Sequence, residues 1–170
     1  MDKKHLFVTV GTTNFNRLIT TLTSETVLNT LTKLGYKSIQ FQTGTADFTK
    51  VSNESIEIMY ENFFEEFVEQ IRKSDLVISH AGAGSCLEVL QCEKPLIVVI
   101  NEDLMDNHQI ELAEHLSKQG HLYYCTCETL EETLLKDLKS LKPYPKIDEN
   151  TFGNYLNGIM RLQKPPAQMN

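Results

Sequence analysis

The sequence has no apolar run near the roughly 20 residues that a membrane-spanning helix needs. Its longest, such as Leu96 to Ile100, would fill one strand. Met1-Asp2-Lys3-Lys4 passes straight into a short strand-like run, so the chain is expected to be cytoplasmic and unprocessed. Basic residues are outnumbered, 16 Lys and Arg against 23 Asp and Glu, for a net charge of −7. That balance repels phosphate backbones and anionic lipid at long range and argues against nucleic acid or direct membrane insertion. Cys86, Cys92, Cys125 and Cys127 lack the two paired C-x-x-C units of a zinc site, and Cys125-Thr-Cys127 puts both sulfurs on one strand face. Free buried thiols in a reducing compartment are expected. The sequence has no G-x-S-x-G elbow, no H-E-x-x-H and no D-x-D suited to holding a metal on a diphosphate. Asp103 and Asp106 are only an i, i+3 pair, so the reading includes neither metal nor cofactor.

What is present is ordinary globular composition, 41% apolar and 23% charged over 170 residues, enough for one core and too little for a second catalytic domain. Leu6 to Val10 reads as a β-branched strand stopping at Gly11, with Thr12, Thr13 and Asn14 available to cap a helix carrying Phe15, Leu18, Ile19 and Leu22. A second helical stretch with Val27, Leu31 and Leu34 ends at Gly35, and Ser38 to Gln42 reads as the next strand. After a polar loop from Gly44 to Asn53, Ile56 to Tyr60 predicts a third strand, and Phe63, Phe64, Phe67, Val68 and Ile71 line a helix face. Asp75 to Ser79 is a fourth strand, followed by a helix with Leu87 and Leu90. Leu96 to Ile100 has no alternation, which suits a strand buried on both faces. Asp106 is the expected N-cap of a helix with Ile110, Leu112, Ala113 and Leu116 that ends at Gly120; a short strand within His121 to Cys127 and a helix over Leu130, Leu134, Leu135 and Leu138 complete the series.

Strands and helices alternating at this pace predict an α/β fold, a Rossmann-like three-layer domain with a mainly parallel sheet. Ligands in such folds sit beyond the carboxyl ends of the strands, which directs attention to the loops after Val10, Tyr60, Ser79 and Ile100. Pro143 and Pro145 then interrupt the chain. Phe152, Tyr155, Leu156 and Ile159 make a helical stripe that packs either on its own domain or on a partner, ahead of a frayed tail from Lys164.

The strongest local signal is His80-Ala-Gly-Ala-Gly-Ser-Cys-Leu-Glu88. Gly82 and Gly84 let the backbone turn at a strand end and approach a ligand, so that consecutive amides from Gly82 through Ala83 and Gly84 to Ser85, with those of Gly11 to Thr13 at the first corner, can face a phosphate without any cation. Ser85 can cap the helix or donate to phosphate, and Glu88, one turn in, can accept from ribose hydroxyls. The competing reading is an Ala/Gly-rich turn for close packing of helix on sheet. His80 suits either a phosphate contact or a structural hydrogen bond under the loop, and its position favours a neutral ring. Val10-Gly11-Thr12-Thr13-Asn14 is a second corner on the same edge, and two donor clusters suit a diphosphate. Asn107, His108 and Gln109 can read sugar hydroxyls, or merely follow a cap. A non-catalytic nucleotide-binding or regulatory module and a nucleotide-dependent oxidoreductase are the alternatives. The latter is weakened because Gly11-Thr-Thr-Asn14 lacks the close-packed glycines of a dinucleotide turn.

Phe7 to Thr13, Ser79 to Glu88, Lys94 to Asn101, Asn107 to Gln109 and Gly120 to Cys127 together resemble the soluble catalytic subunits of the two-subunit UDP-N-acetylglucosamine transferases of dolichol-linked oligosaccharide synthesis. These in turn resemble the C-terminal, donor-binding half of the bacterial GT-B enzyme that adds GlcNAc to lipid II precursor, in glycosyltransferase family 28. The resemblance implies transfer of GlcNAc from UDP-GlcNAc to GlcNAc-diphospho-dolichol with inversion, on the cytosolic face of the endoplasmic reticulum. It implies a membrane-anchored second subunit that completes the cleft. It also implies that Gly82, Gly84 and Ser85 lie near the donor diphosphate, Glu88 on the ribose, His108 and Gln109 near the GlcNAc ring, and Tyr60 and Phe63 beside uracil. The division that follows is a UDP-GlcNAc-binding domain over 1–142, a linker and helix over 143–163, and a tail over 164–170. The catalytic base of the bacterial relative comes from its other domain, so the resemblance names none here.

Overall fold

A computed structural model describes residues 3–104 and 107–146. Asp106, the stripe from Phe152 to Ile159, the tail, and the side chains of Asn107 and His108 lie outside the described residues. The chain runs β1 (Lys4–Thr9), α1 (Asn16–Leu22), α2 (Glu25–Lys33), β2 (Tyr36–Gln42), β3 (Glu57–Glu61), α3 (Phe67–Lys73), β4 (Leu76–His80), α4 (Ala83–Gln91), β5 (Leu96–Ile100), α5 (Asn107–Lys118), β6 (Tyr123–Thr126) and α6 (Leu130–Leu134), with a final 3₁₀ turn (Leu138–Ser140).

The sheet has six strands in the order β3-β2-β1-β4-β5-β6, and every neighbouring pair is parallel. The chain therefore builds outward from β1 in one direction and then returns to its other side with β4. The reversal leaves a gap between the connections that follow β1 and β4, the usual ligand position in open α/β sheets.

Strand alternation sorts the core into two layers. Leu6, Val8, Ile39, Phe41, Ile78, Ile97 and Val99 face α1, α2 and α6; Phe7, Val77, Leu96, Val98 and Ile100 face α3, α4 and α5. All five side chains of β5 are buried, so the unbroken apolar run is explained by helices on both of its faces. Burying each such side chain contributes about 1.5–3 kcal/mol.

Several boundaries differ from expectation. Strand β2 starts at Tyr36, whose ring is buried, two positions before Ser38. Helix α1 begins after Phe15 with no side-chain cap, so Thr12, Thr13 and Asn14 form the corner itself. Phe63 and Phe64 precede α3, which begins at Phe67; the Phe64 amide is held by the Gln42 side chain at 3.4 Å. The last helix is broken. Leu135 caps α6 and is 65% exposed, and Asp137 starts the 3₁₀ turn by accepting from the Lys139 amide at 3.0 Å. The four cysteines are free, with Cys86, Cys125 and Cys127 buried and Cys92 half-buried. Among the described residues no helix is long and apolar enough to cross a membrane.

Candidate functional site

The corners after β1 and β4 open on the same sheet edge and share a cleft of 440 Å³. Gly11 and Thr12 line one side; Gly82, Gly84, Ser85 and Glu88 line another; Gln42, Phe63, Phe64 and Phe67 close the wall toward β2 and α3, with His80 between.

The start of α4 supplies the donors. Gly82 is the N-cap and its amide donates to the His80 carbonyl at 2.8 Å, while the Cys86 amide closes the first helical turn on Gly82 at 3.0 Å. Between them the amides of Ala83, Gly84 and Ser85 have no acceptor among the described residues. Three such amides at the positive end of a nine-residue helix favour an anion. Ser85 makes no capping bond, so its hydroxyl is available to the cleft.

The β1 corner differs. The Gly11 amide donates to Thr9 Oγ1 at 3.0 Å, and both the amide and the hydroxyl of Thr13 donate to the Val10 carbonyl, at 3.2 and 2.7 Å. Two of the three amides assigned there from sequence are thus engaged internally. Thr12 keeps its amide without a partner among the described residues and is exposed.

His80 fills the space between the corners. It is 9% exposed, and a Cβ on Gly11 would lie 2.6 Å from its Cε1; a Cβ on Gly82 would collide with the same ring. Gly11 also has φ +62, a backbone that L side chains rarely adopt. Gly84, in contrast, has nothing within 4 Å of the position a Cβ would take, so its small size keeps the cleft open. Burial lowers the His80 pKa, with the Thr9 carbonyl acting in the opposite direction, and among the described residues its buried Nδ1 has no hydrogen-bond partner.

Glu88 is half-buried one turn into α4, and desolvation raises its pKa above the ordinary carboxylate value. No ion pair reaches it among the described residues, which leaves its oxygens for a ligand. The described cleft lining includes no Lys or Arg. Among the described residues no group of His, Cys, Asp and Glu is placed to hold a metal ion. An anion in this cleft would be held by neutral donors.

The structure separates the pair assigned to uracil. Phe63 is 54% exposed on the cleft wall. Tyr60 lies on the opposite sheet face, stacked on Phe41 at 5.2 Å, its hydroxyl bonded to the Val51 backbone. Asn107, His108 and Gln109 form the first turn of α5 beyond β5 on the same edge; Gln109 is half-buried. Sequence reasoning missed Gln42 and Thr9. Their signal was strand phase: with Ile39 and Phe41 facing one core layer, Gln42 must face the other at the carboxyl end of β2.

Residues 5–159 match a family model, the glycosyltransferase family 28 C-terminal domain. The chain belongs to that family. Similar proteins include the human UDP-N-acetylglucosamine transferase subunit ALG13, 50% identical over 129 residues that cover 75% of this chain and 11% of the relative. The Yarrowia lipolytica protein of the same name is 36% identical over 143 residues, covering 82% of this chain and 72% of the relative. The family 28 domain described here thus spans a small part of the human relative and most of the fungal one. Among solved structures, an NMR structure of ALG13 superposes with a TM-score of 0.66 at 29% identity, covering 91% of this chain and 95% of that one. MurG from Acinetobacter baumannii gives 0.65 at 19% identity, covering 94% of this chain and 50% of that one; that likeness is one of fold.

Proposed function

We propose that this family 28 domain is the donor-binding part of an N-acetylglucosaminyltransferase that takes UDP-GlcNAc as its sugar donor. The observation that carries the reading is the row of amides at Ala83, Gly84 and Ser85, unpartnered among the described residues and placed beside the Glu88 carboxylate in a cleft at the reversal of strand order. Diphosphate meets the amides and the Ser85 hydroxyl, joined by the Thr12 amide. Ribose hydroxyls donate to Glu88, and the base lies against Phe63. Asn107, His108 and Gln109 read the sugar from the start of α5.

Transfer is a direct displacement. An acceptor hydroxyl attacks the anomeric carbon, the bond from that carbon to the diphosphate breaks, and configuration inverts. Negative charge then collects on the departing UDP, where a well-aimed amide is worth about 3–4 kcal/mol in the transition state. The hydroxyl proton passes to a base that a second, membrane-anchored subunit contributes, since of the titratable groups lining the described cleft Glu88 serves the ribose and the His80 ring is packed under Gly11 and Gly82. The acceptor is GlcNAc-diphospho-dolichol, the product is the chitobiosyl lipid, and the chain works at the cytosolic face of the endoplasmic reticulum. The word subunit in the relatives' names supports the two-chain arrangement.

Co-expression with the membrane subunit, followed by transfer from UDP-GlcNAc to GlcNAc-diphospho-lipid, tests the proposal. The pair is expected to transfer; the chain alone is expected to bind UDP and turn over scarcely at all. Full-rate transfer by the isolated chain overturns the two-subunit reading. UDP binding without transfer by the pair favours a non-catalytic nucleotide-binding module.

A further inference from the structure

The end of β2 holds a polar group that the donor-binding reading does not use. Gln42 is 7% exposed. Its Nε2 donates to Thr9 Oγ1 at 3.2 Å, and that same oxygen accepts the Gly11 amide at 3.0 Å. Its Oε1 accepts the Phe64 amide at 3.4 Å, and its own carbonyl accepts the Val10 amide at 3.2 Å. Among the described residues no other side chain bonds both to the β1 corner and to the turn carrying Phe63 and Phe64; beside it the backbone of Thr43 and Gly44 ties the end of β2 to Glu61 and Asn62, at 2.8 and 3.0 Å.

We infer that Gln42 is a positioning residue whose side-chain amide sets the distance between the phosphate corner at Gly11–Thr12 and the aromatic wall at Phe63. The inference rests on the nucleotide-binding reading and adds a residue to it. The chemistry explains the residue type. A primary amide offers one donor and one acceptor on a rigid plane, and it stays neutral when buried. A carboxylate would keep the acceptor for Phe64 and lose the donor for Thr9. A thioether of the same length would lose both and leave the Phe64 amide without its acceptor.

The two segments that Gln42 connects present Thr12, with its unpartnered amide, and Phe63, with its exposed ring, to the cleft. Gln42 therefore couples the two ends of a nucleoside diphosphate in addition to those backbone bonds, and losing it separates the contribution of Phe63 from that of the corner.

The test is a thermodynamic cycle on the full chain, with UDP binding measured by calorimetry for the parent, Gln42→Met, Phe63→Ala and the double variant. Amide exchange at Gly11 and Phe64 is read without ligand. Gln42→Met is expected to weaken UDP about tenfold, to make Phe63→Ala nearly silent in its background, and to speed exchange at both amides while β1 and β4 stay protected. Where Gln42→Met does not fold, Gln42→Glu carries the same cycle, with faster exchange expected at Gly11. Unchanged UDP affinity, additive losses, or unchanged exchange at both amides overturns the positioning role alone. A parent chain that fails to bind UDP overturns the nucleotide reading and this role with it.

Discussion

Gly11 leaves the place of its missing side chain to His80: a Cβ there would sit 2.6 Å from the imidazole Cε1. Gly82 abuts the same ring, but its φ of −75 is open to any residue, whereas Gly11 has φ +62. The two glycines should therefore respond differently when the ring is removed. Gly82→Ala is expected to destabilise the parent by about 1–3 kcal/mol through overpacking, and to cost much less in a His80→Ala background. Gly11→Ala should stay destabilising in both, because its backbone strain remains. Denaturant midpoints of the single and double variants decide this; equal rescue of both glycines would contradict the geometry.

Gly84 offers the opposite trade. Space is open where its Cβ would be, and it lies in the first turn of α4. Gly84→Ala is expected to stabilise the chain by up to about 1 kcal/mol through helix propensity. The same methyl projects toward the cleft and should weaken UDP. A higher melting temperature with undiminished affinity would show that the amides of α4 do not grip the diphosphate.

Glu88 is held half-buried without an ionic partner among the described residues, which costs stability at neutral pH. Glu88→Gln is expected to leave the melting temperature equal or higher while lowering UDP affinity by about 10–100-fold, the range for hydrogen bonds to a charged group. Calorimetry beside thermal unfolding tests both halves. Unchanged affinity removes the ribose role.

The pH dependence has a definite sign. His80 is pushed below its ordinary 6.5 by burial, so on acidification the unfolded chain takes up the proton first. Stability rises with pH wherever the unfolded state binds more protons, so this contribution is intact above pH 6.5 and is lost as pH falls through the lowered folded value. His5, lowered by burial despite the nearby Asp75, acts in the same direction. Glu88 acts in the other, since protonation relieves its burial. Unfolding at pH 7 and about pH 5.5 should show a smaller acid loss in His80→Asn and in His5→Asn than in the parent. Equal losses in all three would place the titration elsewhere.

Much of the architecture was legible because local pattern and tertiary position agree. Leu96 to Ile100 reads as a strand buried on both faces and is one. Gly35 and Gly120 read as helix ends and adopt φ +90 and φ +85. Reading failed where a long-range partner overrides local spacing. Phe63 and Phe64 fit a helix face, yet Gln42 holds the Phe64 amide outside α3. Leu135 and Leu138 continue the spacing of α6, yet Asp137 turns the chain, and its carbonyl accepts from the Tyr123 hydroxyl at 3.0 Å.

The amino-acid order alone determined the alternation of strands and helices, the glycine corner beside His80 and the acidic residue one turn beyond it, because each follows from residues within a few positions of one another. Strand order decided the rest. Only the folded sheet sets β1 beside β4, drops the His80 ring against Gly11, and stacks Tyr60 on Phe41 on the face opposite Phe63. Those outcomes depend on partners far apart in the chain, as Gln42 and Thr9 are at 33 positions, and local periodicity carries no information about them.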